Sequence, residues 1–428
     1  MDKLQINITD IGYDGEGVGR CDGKVCFAPF TLPGETVNGH VVEEKNSYVH
    51  IKVDEILHKV DCRVKPKCKY YGVCGGCGLE HLKYAKQLEY KKMLVERTLK
   101  KYAKLDHAVL PVIPSKNEYN YRNKITLFVK LVDGAAEIGL YRLASHEMVD
   151  ITQCQIVCDQ VNDAIVKVRK CIENNMDMFG RVGIRAVMIR AVEDHRQIVF
   201  ICNSLDVTNN VCQFFDKKDD VFVCKNEKAA NITGKMKKLS GRDALSYTSG
   251  INSVSVRPEA FLQVNDDVAK KLNKYVATLV DAQVVVNAYS GSGLLSAILA
   301  QSAKKVVGIE INKEAHRDAE DVKMNNNITN MTNICGDCGK MLVDVVRQHA
   351  ADTIVLDPPR AGVGERTMRL LNEVGVKSII YVSCNPATLA RDLNVLTNYS
   401  VLSIQPLDMF PQTPNVETVV KLEYDKNR

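Results

Sequence analysis

The chain has 428 residues, enough for two or three domains, and 26 Gly against 12 Pro leave no low-complexity tract. No window holds eighteen continuous apolar residues, so no membrane-spanning helix is expected, and the opening MDKLQINITD does not read as a signal peptide; a soluble cytoplasmic protein is expected. Net charge is only +5, but between Lys59 and Lys104 stand 13 Lys or Arg against 3 Glu and 1 Asp, a surface that reads as a solvated helix face or as one turned toward phosphate.

Leu4, Ile6 and Ile8 alternate with Gln5, Asn7 and Thr9, the period of a half-buried strand. Gly12, Gly15, Gly17, Gly19 and Asp22-Gly23 punctuate the stretch after it. Residues 25–30, 35–42 and 48–53 read as further strands. So many short strands predict a small barrel.

There are 15 cysteines, an odd number, and a cytosolic setting disfavours disulfides. Most read as core fillers, among them Cys202, Cys212 and Cys224. CKYYGVCGGC is different: Cys68, Cys74 and Cys77 have the spacing C-x5-C-x2-C. Short spacing lets thiolates converge on one metal centre, and Gly72, Gly75 and Gly76 permit the tight backbone around it. Zinc and an iron–sulfur cluster both accept four thiolates. The fourth ligand is not adjacent; Cys62, Cys154 and Cys158 are the candidates.

Residues 79–104 predict a long helix, with Leu82, Leu88, Met93, Leu94 and Leu99 as an apolar stripe among lysines. Arg122, Asn123 and Lys124 lead into an alternating strand; Arg122 reads as a phosphate contact or a scaffold arginine. His146, one histidine on a loop, reads as structural or RNA-facing. Residues 182–253 continue strand-like, at 184–188, 198–202 and 221–223, as an α+β module.

The last third has the pattern of a parallel α/β sheet. Asn265 can cap a helix carrying Val268, Leu272, Tyr275, Val276 and Leu279 at helical spacing. A strand at 284–289 runs into Ser290-Gly291-Ser292-Gly293, where glycine lets the backbone approach a ligand. The next strand, 306–309, ends at Glu310, a carboxylate placed to accept both hydroxyls of a ribose. Asp337 reads as an adenine contact or a solvated turn. Strand 353–356 closes on Asp357-Pro358-Pro359-Arg360. The apolar run 379–382 is a buried strand with Cys384 at its carboxyl end, and Asn385-Pro386 turns into a helix over 387–396. Such sheets bind ligands in the crevice at these ends. Cys384 is either a nucleophile or a small buried apolar residue. With Asp357 and Glu417 at neighbouring strand ends, the arrangement is enzyme-like.

Three motifs carry a resemblance: DPPRAG from Asp357, SCNPATLARDL from Ser383 and DMFPQTPNVETV from Asp408. With them the chain resembles, over essentially its whole length, the RNA uracil-5-methyltransferases that use S-adenosylmethionine, and most closely the iron–sulfur branch acting on 23S ribosomal RNA. GYDGEGVGRCDGKVCFAPFTLPGE, from Gly12, is similar to the TRAM domain, an RNA-binding barrel. The resemblance implies a multidomain chain: a TRAM-like β-barrel (1–58), a central α+β iron–sulfur and RNA-binding domain (59–80 and 108–253), a helix packed on the catalytic domain (81–107) and a Rossmann-like α/β methyltransferase domain (254–428). It implies Cys384 as the nucleophile adding to C6 of the uracil and Glu417 as the base. Cofactor contacts fall on Gln263, in the F-x-Q-V-N stretch, and on Tyr289, Gly291, Gly293, Glu310, Asp337 and Asp357. Cys68, Cys74, Cys77 and Cys154 become the ligands of a [4Fe–4S] cluster, with zinc the other element and Cys62 and Cys158 structural. The cluster's expected job is to hold an RNA-binding surface.

The implied partner is 23S rRNA, with no membrane, no obligatory protein partner and a monomeric state. Family members acting on tRNA generally lack the cluster and the front barrel, which counts against that target. The remaining alternative is a non-catalytic RNA-binding or ribosome assembly factor. Arg360 stands where amino-group methyltransferases place an aromatic residue, which disfavours methylation of a base nitrogen. Three positions depart from the family: Glu80 for Gln, Asn415 for His, and Asn287 for the Asp that opens the first cofactor motif. The lost charge at Asn287 is expected to weaken cofactor binding by ~1–3 kcal/mol.

Overall fold

The computed structural model describes residues 4–21, 23–132, 134–228, 230–250, 252–281 and 283–425. Strands β1 (Leu4–Ile11), β2 (Gly17–Cys21), β3 (Lys24–Ala28), β4 (Thr36–Glu44) and β5 (Tyr48–His58) close a barrel in the order β1-β2-β3-β5-β4. Ile6, Ile8, Cys26, Val37, Val49 and Ile51 fill it. The glycine-punctuated stretch at 17–21 is itself a strand. Its glycines are required by close packing: a Cβ on Gly17 would stand 1.9 Å from Thr31 Oγ1, and one on Gly19 2.7 Å from the Asn7 carbonyl oxygen. Without side chains to alternate, the strand leaves no periodic signal.

The middle of the chain forms a second sheet from β6 (Lys124–Val132), β7 (Ala135–Tyr141), β8 (Met148–Asp150), β9 (Ile184–Val192), β10 (His195–Cys202), β11 (Asp219–Lys225) and β12 (Lys235–Ser240). The order is β12-β11-β10-β9-β6-β7-β8, antiparallel except between β10 and β11. Helix Asp159–Glu173 lays Val161, Ala164, Ile165, Val168 and Ile172 onto this sheet's core. A short ribbon, β13 (Leu245–Ser249) with β14 (Asn252–Val256), leads to the catalytic half.

There β15 (Val284–Ala288), β16 (Lys305–Glu310), β17 (Met331–Cys335), β18 (Thr353–Leu356), β19 (Ser378–Ser383), β20 (Tyr399–Leu407) and β21 (Glu417–Tyr424) order as β17-β16-β15-β18-β19-β21-β20. The first five are parallel and β21 runs against β19. Chain order reverses between β15 and β18, the switch point where such sheets open a crevice. The strands are buried on both faces and read as near-continuous Val and Ile runs.

The long helix spans Tyr84–Tyr102. It starts five residues later than the apolar stripe predicts, because residues 79–82 are committed elsewhere. The Glu80 carboxylate accepts from the Lys67 and Cys68 amides at 2.7 Å each, and His81 Nδ1 bonds the Tyr71 hydroxyl. The helix packs against the catalytic half: Val95 and Leu99 share a core with Leu389, Leu393 and Tyr399, each such side chain contributing about 1.5–3 kcal/mol on burial. Its polar anchor is Lys91, paired with Asp408 where both side chains are fully buried. Burial pushes the Lys91 ammonium down and the Asp408 charge pulls it back. An ion pair at such a site fixes which surfaces meet more than it adds stability. Among the described residues no helix is long and apolar enough to cross a membrane.

Candidate active site

β19 supplies a buried platform, Ser378–Ser383, that delivers Cys384 to the carboxyl edge of the sheet. In the antiparallel pairing with β21, Ser383 lies opposite Thr418. The residues one step toward the edge, Cys384 and Glu417, are therefore neighbours across the ladder. On the other side Leu356 pairs with Tyr381, and Asp357 comes next. Electrostatics reflect this closeness. Burial pushes the Cys384 thiol up to about 11, the Glu417 and Asp357 charges add to it, and Arg360 pulls the other way. Burial lifts the Glu417 carboxyl to about 8, with Asp357 adding and Arg360 opposing. Burial lifts Asp357 to about 7. Burial thus disfavours charge on these carboxyls, and the exposed Arg360 guanidinium faces them, its Nη2 donating to Asn415 Oδ1 at 3.2 Å.

The turn after Cys384 is tied from several directions. Asn385 caps helix Pro386–Leu393, its Oδ1 accepting from the Ala387 amide at 3.0 Å. Its own amide donates to Ser383 Oγ at 3.1 Å, and its Nδ2 donates to the Arg360 carbonyl at 3.4 Å. The Tyr13 hydroxyl, from the barrel, donates to the same Asn385 Oδ1 at 2.8 Å. The contact spans 372 positions, and sequence reasoning missed it; an aromatic residue between Gly12 and Gly15 was the available signal.

The crevice at β15 and β16 gathers several of the expected cofactor residues. Tyr289 has φ 60°, unusual for a non-glycine residue, and its amide donates to Cys338 Sγ at 3.3 Å. Gly291, φ 55°, would place a Cβ in open space, with nothing within 4 Å. The Gly291 and Asn312 amides donate to the two Glu310 oxygens at 2.9 and 2.7 Å. Gly293 meets a packing need instead: its Cβ would stand 2.7 Å from that of Ala319. Asp337 caps helix Cys338–His349, accepting from the Gly339 amide at 2.9 Å. Gln263 is half-buried beside the central sheet, its carbonyl accepting from Asn123 Nδ2 at 2.9 Å. Asn287 is buried; its Nδ2 donates to Ser296 Oγ at 2.8 Å and its Oδ1 has no partner among the described residues. An Asp would accept from that hydroxyl, so the amide reverses the hydrogen bond.

The predicted ligand cysteines line one cavity of about 460 Å³ with Tyr70, Arg122 and Lys124. Cys154 reaches it by a route no spacing reveals: its amide donates to Asn162 Oδ1 at 2.9 Å while Asn162 Nδ2 donates back to its carbonyl at 3.1 Å. Burial pushes the Cys77 thiol well up, and the charges of Cys154, Glu80, Cys74 and Cys68 add to it. Among the described residues no three His, Cys, Asp or Glu side chains are grouped tightly enough to share one metal ion. Lys67 and Lys69 stand over the rings of Tyr119 and Tyr70 at 4.5 and 4.9 Å beside this cavity. A groove of about 490 Å³ runs from Phe30 and His50 of the barrel, past Gly75–Gly78, to Pro414 and Asn415. His146 lies on the surface, its ring edge-on to Tyr141.

The sheet order and its edge define an S-adenosylmethionine-dependent methyltransferase fold behind a TRAM barrel. Residues 2–51 match the TRAM domain model, and residues 339–425 match that of tRNA (uracil-5-)-methyltransferase. The chain is 34% identical to an uncharacterised RNA methyltransferase of Clostridium acetobutylicum, over 98% of this chain and 96% of that one. It is 32% identical to one of Listeria monocytogenes, over 98% and 97%. Among solved structures it is similar to the Pyrococcus abyssi tRNA (uracil-54, C5)-methyltransferase in complex with S-adenosyl-L-homocysteine, at 27% identity and a TM-score of 0.81, over 98% of this chain and 99% of that one. The chain belongs to the RNA uracil-5-methyltransferase family. One expectation needs correcting: the Pyrococcus enzyme, named for tRNA, matches this chain through its front barrel, so the barrel does not separate tRNA from rRNA targets.

Proposed function

We propose that the chain methylates carbon 5 of a uridine in RNA, with S-adenosylmethionine as donor and Cys384 as covalent nucleophile. The observation that carries this reading is the adjacency of Cys384 and Glu417 on paired strands, with Arg360 acting on both. Uracil C5 is a poor nucleophile. Addition of the Cys384 thiolate to C6 moves an electron pair into the ring as an enolate, which makes C5 reactive. Arg360 favours the thiolate over the thiol. S-adenosylmethionine supplies an electrophilic methyl group on a sulfonium. C5 then carries both a methyl group and its original hydrogen. Glu417 removes that hydrogen as a proton, the C5–C6 double bond re-forms, and the Cys384 thiolate leaves. The balance is one methyl gained and one proton released per turnover.

Gln263, Tyr289, Gly291, Gly293, Glu310, Asp337 and Asp357 would hold the donor. Glu310 would exchange its two amide partners for ribose hydroxyls, and the unpartnered Asn287 Oδ1 is an acceptor for the ammonium. The uridine must leave its stack to reach Cys384. The groove from the barrel and the lysine–tyrosine pairs beside the cysteine cavity would carry the flanking RNA. Cys68, Cys74, Cys77 and Cys154 would hold a [4Fe–4S] cluster, with zinc the other candidate. What supports this assignment is that all four cysteines line one cavity, although their side chains are not drawn together tightly enough in this structure to share one ion. Its role here is to fix the RNA-facing surface, since methyl transfer by this route moves no electrons.

The target proposed is 23S rRNA, on a monomeric cytoplasmic enzyme. A second reading, tRNA, is favoured by the full-length match to the Pyrococcus enzyme. The test is tritium release from C5-labelled uridine in unmodified 23S rRNA and tRNA. Donor-dependent release from one RNA names the class; no release from either overturns the reading.

A further inference from the structure

Glu417 comes after a nine-residue connection, 408–416, from the end of β20, and that connection is fastened to the cysteine loop through one residue. Gln412 is 1% exposed and has φ 69°, a left-handed backbone that a side chain disfavours. Such a conformation persists only where its surroundings over-determine it. Here Gln87, also 1% exposed, makes a reciprocal pair: its Nε2 donates to Gln412 Oε1 at 2.9 Å, and the Gln412 amide donates to Gln87 Oε1 at 3.0 Å. The Gly78 and Leu79 amides donate to the Gln412 carbonyl at 3.1 and 2.9 Å. Gly78 is the residue after Cys77. From the same connection Asn415 accepts from Arg360, and Glu417 begins β21. Cys384 is secured by a different set, Ser383 and Asn385.

We propose that Gln412 is a positioning residue that ties the placement of Glu417 to the conformation of the cysteine loop, while the turn that carries Cys384 is held by its own hydrogen bonds. Releasing Gln412 lets its backbone relax and moves the connection that carries Asn415 and Glu417. Removal of the C5 proton then suffers, while addition of Cys384 and methyl transfer continue. A damaged cysteine loop would therefore resemble a lost base, with RNA retained on the enzyme.

The proposal rests on Glu417 as the base. Its test uses the full-length protein with the RNA that releases tritium, comparing Gln87→Leu and Gln412→Ala with wild type and Glu417→Gln. In a single turnover, with enzyme in excess over RNA, both latch variants are expected to release tritium about tenfold more slowly, to incorporate methyl within roughly threefold of wild type, and to accumulate a denaturant-stable protein–RNA adduct. Equal losses in all three readouts, or wild-type behaviour of both variants, would overturn it. If Glu417→Gln builds no adduct, the base assignment fails instead. Hydrogen exchange at the amides of Thr413 and of 415–418 then decides the latch: faster exchange in Gln87→Leu with unchanged barrel amides supports the coupling, and unchanged exchange there refutes it.

Discussion

Cys384 and Cys154 are both half-buried thiols that burial pushes up, yet their neighbours differ in kind. Around Cys384 stand two carboxyl groups and one guanidinium. Around Cys154 stand other thiols. A thiol that adds to a base must gain and lose one bond per turnover, so it needs a cation to favour its charged form and a separate group for the proton. Thiols that share a metal centre, the role proposed for Cys154, need only each other and a rigid backbone, and Asn162 braces the backbone there. Burial alone therefore does not define a cysteine's role; the charges facing it do.

The sharpest way to break this contrast is Cys384→Ala, expected to abolish turnover, a loss of about 10⁴-fold or more. Donor binding followed by calorimetry should stay near wild type; surviving methyl transfer would remove Cys384 from the chemistry. Glu417→Gln should lower turnover by ~10²–10⁴ and leave an RNA adduct visible on denaturing gels, whereas free product would exonerate the residue. On the other side, under the proposed cluster assignment Cys154→Ser should lower the metal content of the purified protein, measured by elemental analysis, while Cys158→Ser leaves it at the wild-type level. Equal content in the two variants would dissolve the distinction between ligand and neighbour.

A smaller effect lies in stability. The Glu417 carboxyl stands at about 8 in the fold against 4.5 ordinarily, so between these values the folded state binds more protons than the unfolded one. Its contribution is present below pH 4.5 and is lost as pH rises through about 8. Glu417→Gln should therefore gain on wild type across that window, by ~2–4 kcal/mol at pH 8, read from denaturation midpoints; a pH-independent difference would contradict it. Least of all, Asn287→Asp should tighten donor binding by about 1 kcal/mol, because the Ser296 hydroxyl can turn to donate to the new carboxylate. Weaker binding would show that the reversed hydrogen bond suits this site better.

Much of the catalytic half was legible because parallel strands buried on both faces announce themselves as apolar runs. Residues just beyond such runs, Glu310, Asp357 and Cys384, must lie on one edge. The barrel was legible except for β2, whose glycines erase the alternation. The long helix was legible in its stripe but not in its start, since Glu80 and His81 serve the cysteine segment. Asp337 and Gly293 fit the expected motif, but their visible tasks are capping a helix and admitting Ala319.

By itself the sequence determined which residues could do chemistry, because strand ends and cysteine spacing are local properties of the chain. Only the tertiary structure decided who meets whom. Pairing of β19 with β21 sets Cys384 beside Glu417, the barrel brings Tyr13 to Asn385, and Gln87 closes on Gln412 across 325 positions. Such contacts join separate hydrophobic surfaces, and no period or spacing along one segment encodes the partner it will find.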